Sequence, residues 1–398
     1  MTPIKNTVAL TLASVCLAFV ACNDSKNDVS GSGGASVVFA GTGGMTVAGN
    51  SVGGSSRLVG SGATTGSGGI TGVGTAAMTV SPGTAGTDSG NGGATTTTGG
   101  ANSTTGVSGG ANGGVGTQGG DAIRTRKITV RGLTFDALET VTPGEPVLLL
   151  HGFPETSLEW SRLMPILAAN GYHCLAPNQR GYSPDARPAE VDAYRYEELV
   201  LDAFAIGSEL GERFHVIGHD WGANVGWMML EKDPSRIASF TAISIPHYQV
   251  WARSVYDDEA MASYLSMLNT WMTEGKGEAF WTAEQLRRMW SAKPAEQREV
   301  TIAQMTEPGA MTAALNWYRA SRGHKRVIEE YNVWKVNVPT LLIHGSKDLA
   351  ERAITDTASL MTGPYRVVRP DGGHFIVDEQ PTVVADETLA HLRAYPMK

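Results

Sequence analysis

The residue best placed to do chemistry is Asp220, in Gly218-His219-Asp220-Trp221-Gly222. An apolar run over 214–217 precedes it, and a helix-like segment over 223–230 follows. This is the sequence form of a nucleophile elbow, a sharp strand-to-helix turn that lifts one side chain above a sheet. The raised residue is held in a strained conformation, so its neighbours two places away must be small, as Gly218 and Gly222 are. Serine is the usual occupant. A serine attacks acyl groups and needs a base to take its proton. A carboxylate is already ionised at neutral pH and attacks an sp3 carbon directly. Aspartate here therefore points away from esters and towards epoxides or alkyl halides. Taken alone, small-x-Asp-x-small also describes an ordinary aspartate in a glycine-bounded loop, so the rest of the chain has to decide.

Four further pieces fall where such a nucleophile needs them. His151-Gly152-Phe153-Pro154 follows a continuous apolar run, and a loop there aims the backbone N–H of Phe153 at the site, with that of Trp221 as its partner in an oxyanion hole. Asp348 lies in the loop after the late apolar run 341–343 and is placed to orient a histidine; Glu351 and Asp356 are rivals on the helix expected next. His374 follows Gly372-Gly373, whose backbone freedom lets it turn into a site. Nucleophile, acid, histidine is the chain order expected on this kind of scaffold. Tyr318 and Tyr264 are phenols that could hydrogen-bond an epoxide oxygen and supply a proton as the ring opens, although tyrosines commonly just pack within helices.

The elements that must position these residues alternate. Strands are expected at 127–130 and 133–138 as an antiparallel opening pair, then at 147–151, 173–176, 214–217, 238–245, 338–344 and 365–368. Helices are expected at 160–170, 196–210, 223–230 and 383–394. Strands regularly split by helices argue a doubly wound, mostly parallel α/β sheet. Residues 246–333 break the alternation with helical pattern alone and contain Trp251, Trp271, Trp281, Trp290 and Trp317. That insertion reads as a helical cap over an apolar pocket, with most of its tryptophans forming the cap's own core.

The folded part is expected to be one domain over 122–398, within a chain of 398 residues and net charge −8. Mild acidity and the lack of a basic run give no hint of nucleic acid. Before that domain the chain has a different character. Lys5 precedes an apolar run over 7–20, too short for a comfortable membrane span, which ends Ala21-Cys22. This resembles a bacterial lipobox. It implies that 1–22 is a signal segment, that Cys22 is lipidated, and that the protein is held in the cell envelope, at the outer membrane or the periplasmic side. Residues 23–121 are almost entirely Gly, Ser, Thr, Ala, Val and Asn, and are expected to form a tether with a mean reach on the order of 50–60 Å. Cys174 has no cysteine partner in the folded part and reads as a small buried hydrophobe.

Together, His-Gly-Phe-Pro-Glu at 151–155, Gln-Arg-Gly-Tyr-Ser at 179–183, Gly-His-Asp-Trp-Gly at 218–222, Asn-Trp-Tyr-Arg at 316–319 and Gly-Gly-His at 372–374 resemble the α/β-hydrolase-fold epoxide hydrolases. The resemblance spans about 126–396, in order. It implies an Asp nucleophile at Asp220, an Asp–His pair at Asp348 and His374, and two cap tyrosines. Tyr318 sits in its motif. Tyr264 matches by position only, and Tyr248 and Tyr256 remain alternatives. Asn178 stands where many relatives have Asp. The resemblance further implies an oxyanion hole from Phe153 and Trp221, a small apolar epoxide bound against Phe153, Trp221 and Trp317, and no metal or organic cofactor. A haloalkane dehalogenase, which uses the same Asp–His–acid logic, is the alternative. A non-catalytic binding protein on a dead hydrolase fold is a more distant one.

Overall fold

The computed structural model describes residues 123–397. The expected signal segment 1–22, Cys22 and the tether 23–121 lie outside the described residues. From Ile123 the chain builds an eight-stranded sheet: β1 (Ile123–Val130), β2 (Leu133–Thr140), β3 (Glu145–Leu150), β4 (Tyr172–Pro177), β5 (Phe214–His219), β6 (Ile237–Ile243), β7 (Thr340–Ile343) and β8 (Tyr365–Val368), in spatial order β1-β2-β4-β3-β5-β6-β7-β8. β1 pairs with β2, and β2 with β4, antiparallel; every later pairing is parallel. The central strands are buried along their whole length or nearly so, because helices cover both faces. Those strands consequently read as continuous apolar runs, whereas β2 alternates. Cys174, on β4, is buried as expected, and burial pushes its thiol pKa up.

The helices outside the insertion are α1 (Leu163–Ala169), α2 (Tyr196–Gly207) and α3 (Trp221–Lys232) before it. The insertion itself, between β6 and β7, carries α4 (Tyr248–Asp257), α5 (Ala262–Met272), α6 (Lys276–Phe280), α7 (Ala283–Met289), α8 (Ala295–Met305), α9 (Ala310–Ala320) and α10 (Lys325–Glu330). After it come α11 (Glu351–Ala358), α12 (Ile376–Glu379) and α13 (Pro381–Ala394). Several element boundaries differ from expectation by a few residues, three of them close to the site. The expected helix 160–170 is divided, with a 3-10 turn at Ser157–Ser161 before α1. Pro165 has no N–H to donate, so an α-helix containing it must begin within a turn of it, as α1 does. β6 stops at Ile243 because Ser244 turns to φ +68°. α3 starts at Trp221, directly after Asp220.

The insertion is wholly helical, as expected of a cap. Trp251, Trp271, Trp281, Trp290 and Trp317 are all buried. One seam to the sheet domain is polar: the Trp317 indole N–H donates to the Arg180 carbonyl at 2.9 Å. Another is ionic. Lys293, between α7 and α8, is fully buried and meets Glu155 at 3.1 Å and Asp378 at 2.8 Å. Burial, with Glu159 and Asp378 nearby, pushes Glu155 above the usual carboxylate range although Lys293 opposes the shift.

Candidate active site

Asp220 sits at the turn between β5 and α3 with φ +49° and ψ −116°, a conformation that side chains rarely adopt. The turn is held by main-chain bonds: the Asp220 N–H donates to the Ile243 carbonyl at 3.1 Å, and its carbonyl accepts from the Asn224 N–H at 3.0 Å. The two glycines are demanded by space. A Cβ on Gly218 would meet the Gly222 carbonyl oxygen at 2.4 Å, and one on Gly222 would meet the Leu150 carbonyl oxygen at 2.0 Å. The tightness of the elbow itself thus forbids a side chain at Gly218, and its close packing against β3 forbids one at Gly222.

The carboxylate has two different sides. Oδ1 accepts from the Phe153 N–H at 2.7 Å. Oδ2 faces His374 Nε2 at 3.4 Å. Trp221 is the first residue of α3, so its N–H has no acceptor within the helix. On the far side of the ring, His374 Nδ1 meets Asp348 Oδ2 at 3.1 Å. The rivals are elsewhere: Glu351 and Asp356 lie on α11, and Glu351 is taken up by Arg369. The structure therefore brings Asp220, His374 and Asp348 together in the expected order.

Burial would raise both carboxyl groups and lower the histidine, yet all three move the other way. The charge of Asp348 and hydrogen bonds to both aspartates raise His374 well above its ordinary value. In return the imidazolium holds Asp348 down at about 2 and keeps Asp220 below its usual value. These shifts favour the charged forms of all three groups, an imidazolium between two carboxylates.

Other contacts fix the histidine's backbone. Its carbonyl accepts from the Ser244 hydroxyl at 2.8 Å and lies 2.9 Å from His219 Nε2. His219 Nδ1 pairs with Glu159 at 2.5 Å, and that pairing raises the His219 pKa against its complete burial. His219 is support, as its place beside the nucleophile suggested. So is His151: its Nε2 accepts from the Gln179 N–H at 3.0 Å, and burial lowers its pKa to about 4. Asn178 also has a role, its amide oxygen accepting from the Ser157 N–H at 2.7 Å and pinning the loop that follows Phe153.

The cap closes over this triad with aromatic rings. Tyr318, on α9, is 3 % exposed, with its ring 5.0 Å from that of Phe153 and 5.1 Å from that of Trp221. Burial, the neighbouring Tyr264 and the charge of Asp220 raise its pKa well above the ordinary value, so it stays a proton donor. Tyr264, on α5, is half-buried and is raised likewise, burial and the Asp220 charge being the leading causes. Of the alternatives for the second tyrosine, Tyr256 donates to the Gly323 carbonyl, while Tyr248 and Tyr264 both meet His324, at Nδ1 and Nε2, 3.0 Å and 3.2 Å away. Trp317 stands behind Trp221, ring centres 5.4 Å apart, with its indole N–H already used. Trp271 and Trp281 pack on the Phe153 ring at 5.8 Å and 5.2 Å.

Sequence reasoning missed Glu159, Lys293 and His324. Glu159 and Lys293 have their partners far away in the chain. His324 lies within reach of the Asn-Trp-Tyr-Arg motif, but nothing in its spacing marks it.

A strained aspartate on a strand-to-helix turn, facing a histidine held by a second aspartate on a parallel sheet, defines a class. The chain belongs to the alpha/beta hydrolase fold family, whose sequence profile matches residues 145–381. It is a hydrolase. Epoxide hydrolase A of Mycobacterium tuberculosis is 29 % identical over 317 residues, covering 69 % of this chain and 98 % of that protein. The AB hydrolase superfamily protein YfhM of Bacillus subtilis is 28 % identical over 292 residues, covering 69 % of this chain and 99 % of its own. Among solved structures, epoxide hydrolase A from Mycobacterium thermoresistibile superposes with a TM-score of 0.59 at 25 % identity, covering 69 % of this chain and all of its own.

Proposed function

We propose that this enzyme hydrolyses small apolar epoxides to vicinal diols in two steps through an ester on Asp220. The observation that carries this reading is the pairing of Asp220, its carboxyl held below its usual pKa, with two cap phenols whose pKa values are raised, the buried Tyr318 and the half-buried Tyr264. Asp220 Oδ2 attacks a ring carbon, and the carbon–oxygen bond of the epoxide breaks. The departing oxygen keeps the electron pair and takes a proton from a cap tyrosine. Asp220 Oδ1 becomes the ester carbonyl, already beside the Phe153 N–H. Esterification removes one of the two negative charges that kept His374 protonated, so the imidazolium gives up its proton, which passes through water to the tyrosinate and leaves His374 a neutral base. His374 then takes a proton from water, and that water attacks the ester carbon, with the Phe153 and Trp221 N–H groups holding the oxyanion. Acyl–oxygen cleavage releases the diol and restores Asp220. The aromatic walls of Phe153, Trp271 and Trp281 favour an apolar or aryl substituent. The names of the relatives point the same way.

Haloalkane dehalogenation needs donors for a departing halide. Position 153 offers a phenyl ring where a second side-chain donor would be needed, and the cap tyrosines have no role there. Single turnover in heavy-oxygen water, with enzyme in excess over styrene oxide or bromobutane, separates the readings. Diol from styrene oxide without heavy oxygen, and label in the enzyme, is expected. Label in the first-turnover diol would remove Asp220 as nucleophile, and turnover of the bromide alone would move the enzyme to dehalogenation. Inactivity towards both, unchanged by Asp220→Ala, would favour a binding role.

We further propose export of the chain and lipidation at Cys22. Incorporation of labelled palmitate that is lost in Cys22→Ser tests this.

A further inference from the structure

We propose that His324 is a positioning residue that directs the Tyr264 hydroxyl proton to the leaving oxygen, with Tyr248 fixing its tautomer. The inference rests on the epoxide-opening reading and extends it. His324 lies between α9 and α10, where Arg322, Gly323 and His324 run consecutively in the left-handed region at φ +52°, +63° and +74°. Such a run is rare for residues with side chains. Here it turns the imidazole inward, to 1 % exposure. The ring lies 5.3 Å from that of Trp221, tilted by 32°, and 5.8 Å from that of Tyr318. Each nitrogen faces a phenol: Nδ1 the Tyr248 hydroxyl at 3.0 Å, Nε2 the Tyr264 hydroxyl at 3.2 Å.

Burial lowers the His324 pKa to about 4, against the opposing charge of Asp220, so the ring is neutral at physiological pH. A neutral imidazole has one donor and one acceptor nitrogen. Tyr248 is fully buried, and among the described residues its hydroxyl has no hydrogen-bond partner besides Nδ1. Its proton must therefore go to Nδ1, because a buried hydroxyl left without an acceptor is costly. That places the imidazole proton on Nε2, where it donates to the Tyr264 oxygen. With its lone pair so occupied, Tyr264 has its own proton free for substrate. As that proton moves to the epoxide oxygen, negative charge grows on the Tyr264 oxygen, and the Nε2–H bond strengthens. His324 keeps its proton throughout. The opposite tautomer would make Nε2 an acceptor and turn the Tyr264 proton away from substrate.

Two measurements test this. Nitrogen-15 NMR of histidine-labelled enzyme, with His324 assigned through its contacts to Trp221, should show a neutral ring protonated at Nε2. Protonation at Nδ1 overturns the proposal whatever the substrate. Rapid-quench single turnover with styrene oxide then resolves ester formation from ester hydrolysis. His324→Phe, which keeps a ring against Trp221, should slow ester formation roughly tenfold or more, the worth of one charge-assisted hydrogen bond, and leave hydrolysis unchanged. His324→Gln, with an amide donor, should recover part of the loss. Combining His324→Phe with Tyr264→Phe should cost no more than Tyr264→Phe alone. Equal slowing of both steps, or additive losses, overturns the proposal. Absence of any ester in the wild-type enzyme would instead sink the epoxide reading, and leave the tautomer result standing.

Discussion

The Phe153 N–H donates to Asp220 Oδ1 at 2.7 Å, while His374 approaches the other oxygen, Oδ2, at 3.4 Å. The two oxygens of one carboxylate are thus distinguished before any substrate arrives. In the proposed mechanism the oxygen in the amide cradle would become the ester carbonyl and later the oxyanion, so the donor would serve both steps without rearrangement. Preorganisation of this kind is where most electrostatic catalysis originates. On that reading it would also confine attack to Oδ2, the oxygen that faces His374.

Removing the nucleophile and removing the base have different signatures. Asp220→Ala should abolish ester formation. His374→Gln should still form the ester but lower steady-state turnover by about 10²–10⁴-fold, the usual contribution of a general base. Mass spectrometry of His374→Gln after exposure to styrene oxide should find a protein heavier by one epoxide. An unmodified protein would show that His374 is needed before the ester forms.

The two steps should also differ in pH dependence. His374 is raised by Asp348 and Asp220 together, so in the free enzyme it stays protonated above its ordinary range. In the ester Asp220 is neutral, and the His374 pKa drops. Hydrolysis requires the neutral base, so its rate should fall as pH falls through that lower pKa. Ester formation requires only ionised Asp220, whose pKa is depressed, and should be flat over the same interval. Single-turnover traces across the pH range check this; a shared acid limb for both phases would contradict it.

The cap phenols should act on the first step alone. Tyr318→Phe and Tyr264→Phe should each slow ester formation by about 10²-fold, the lower end of general-acid effects, with little change in hydrolysis of the ester. Tyr256→Phe should be nearly silent in the same assay, because its hydroxyl is spent on the Gly323 carbonyl. A large effect from Tyr256→Phe would reassign the second donor.

Lys293 ties the cap to Glu155, two residues past Phe153, and to Asp378 on α12, which follows His374. Lys293→Met leaves Glu155 and Asp378 buried without their cation and should cost about 3–5 kcal/mol in chemical denaturation. Adding Glu155→Gln and Asp378→Asn to Lys293→Met should restore much of that loss, since the carboxyl charges then vanish with the lysine. Wild-type stability in Lys293→Met would mean the buried carboxyls hold protons already.

Much of this protein was legible along the chain because its signals are local. The two glycines around Asp220 register a clash with backbone a few residues or one strand away. The apolar runs at β3, β5 and β7 register burial on both faces. The order Asp220, Asp348, His374 follows from where loops leave a parallel sheet. What the tertiary structure alone decided depends on groups distant in sequence meeting under exclusion of water. Tyr248 and Tyr256 stayed open beside Tyr264 along the chain, and only the packing of α4, α5 and the turn before α10 places Tyr256 on Gly323 and both Tyr248 and Tyr264 on His324. Glu159 beside His219, and Lys293 between Glu155 and Asp378, carry no spacing signal because each pairing joins separate segments. A charge's pKa and a hydroxyl's orientation are set by what surrounds them in space, which periodicity and motif do not encode.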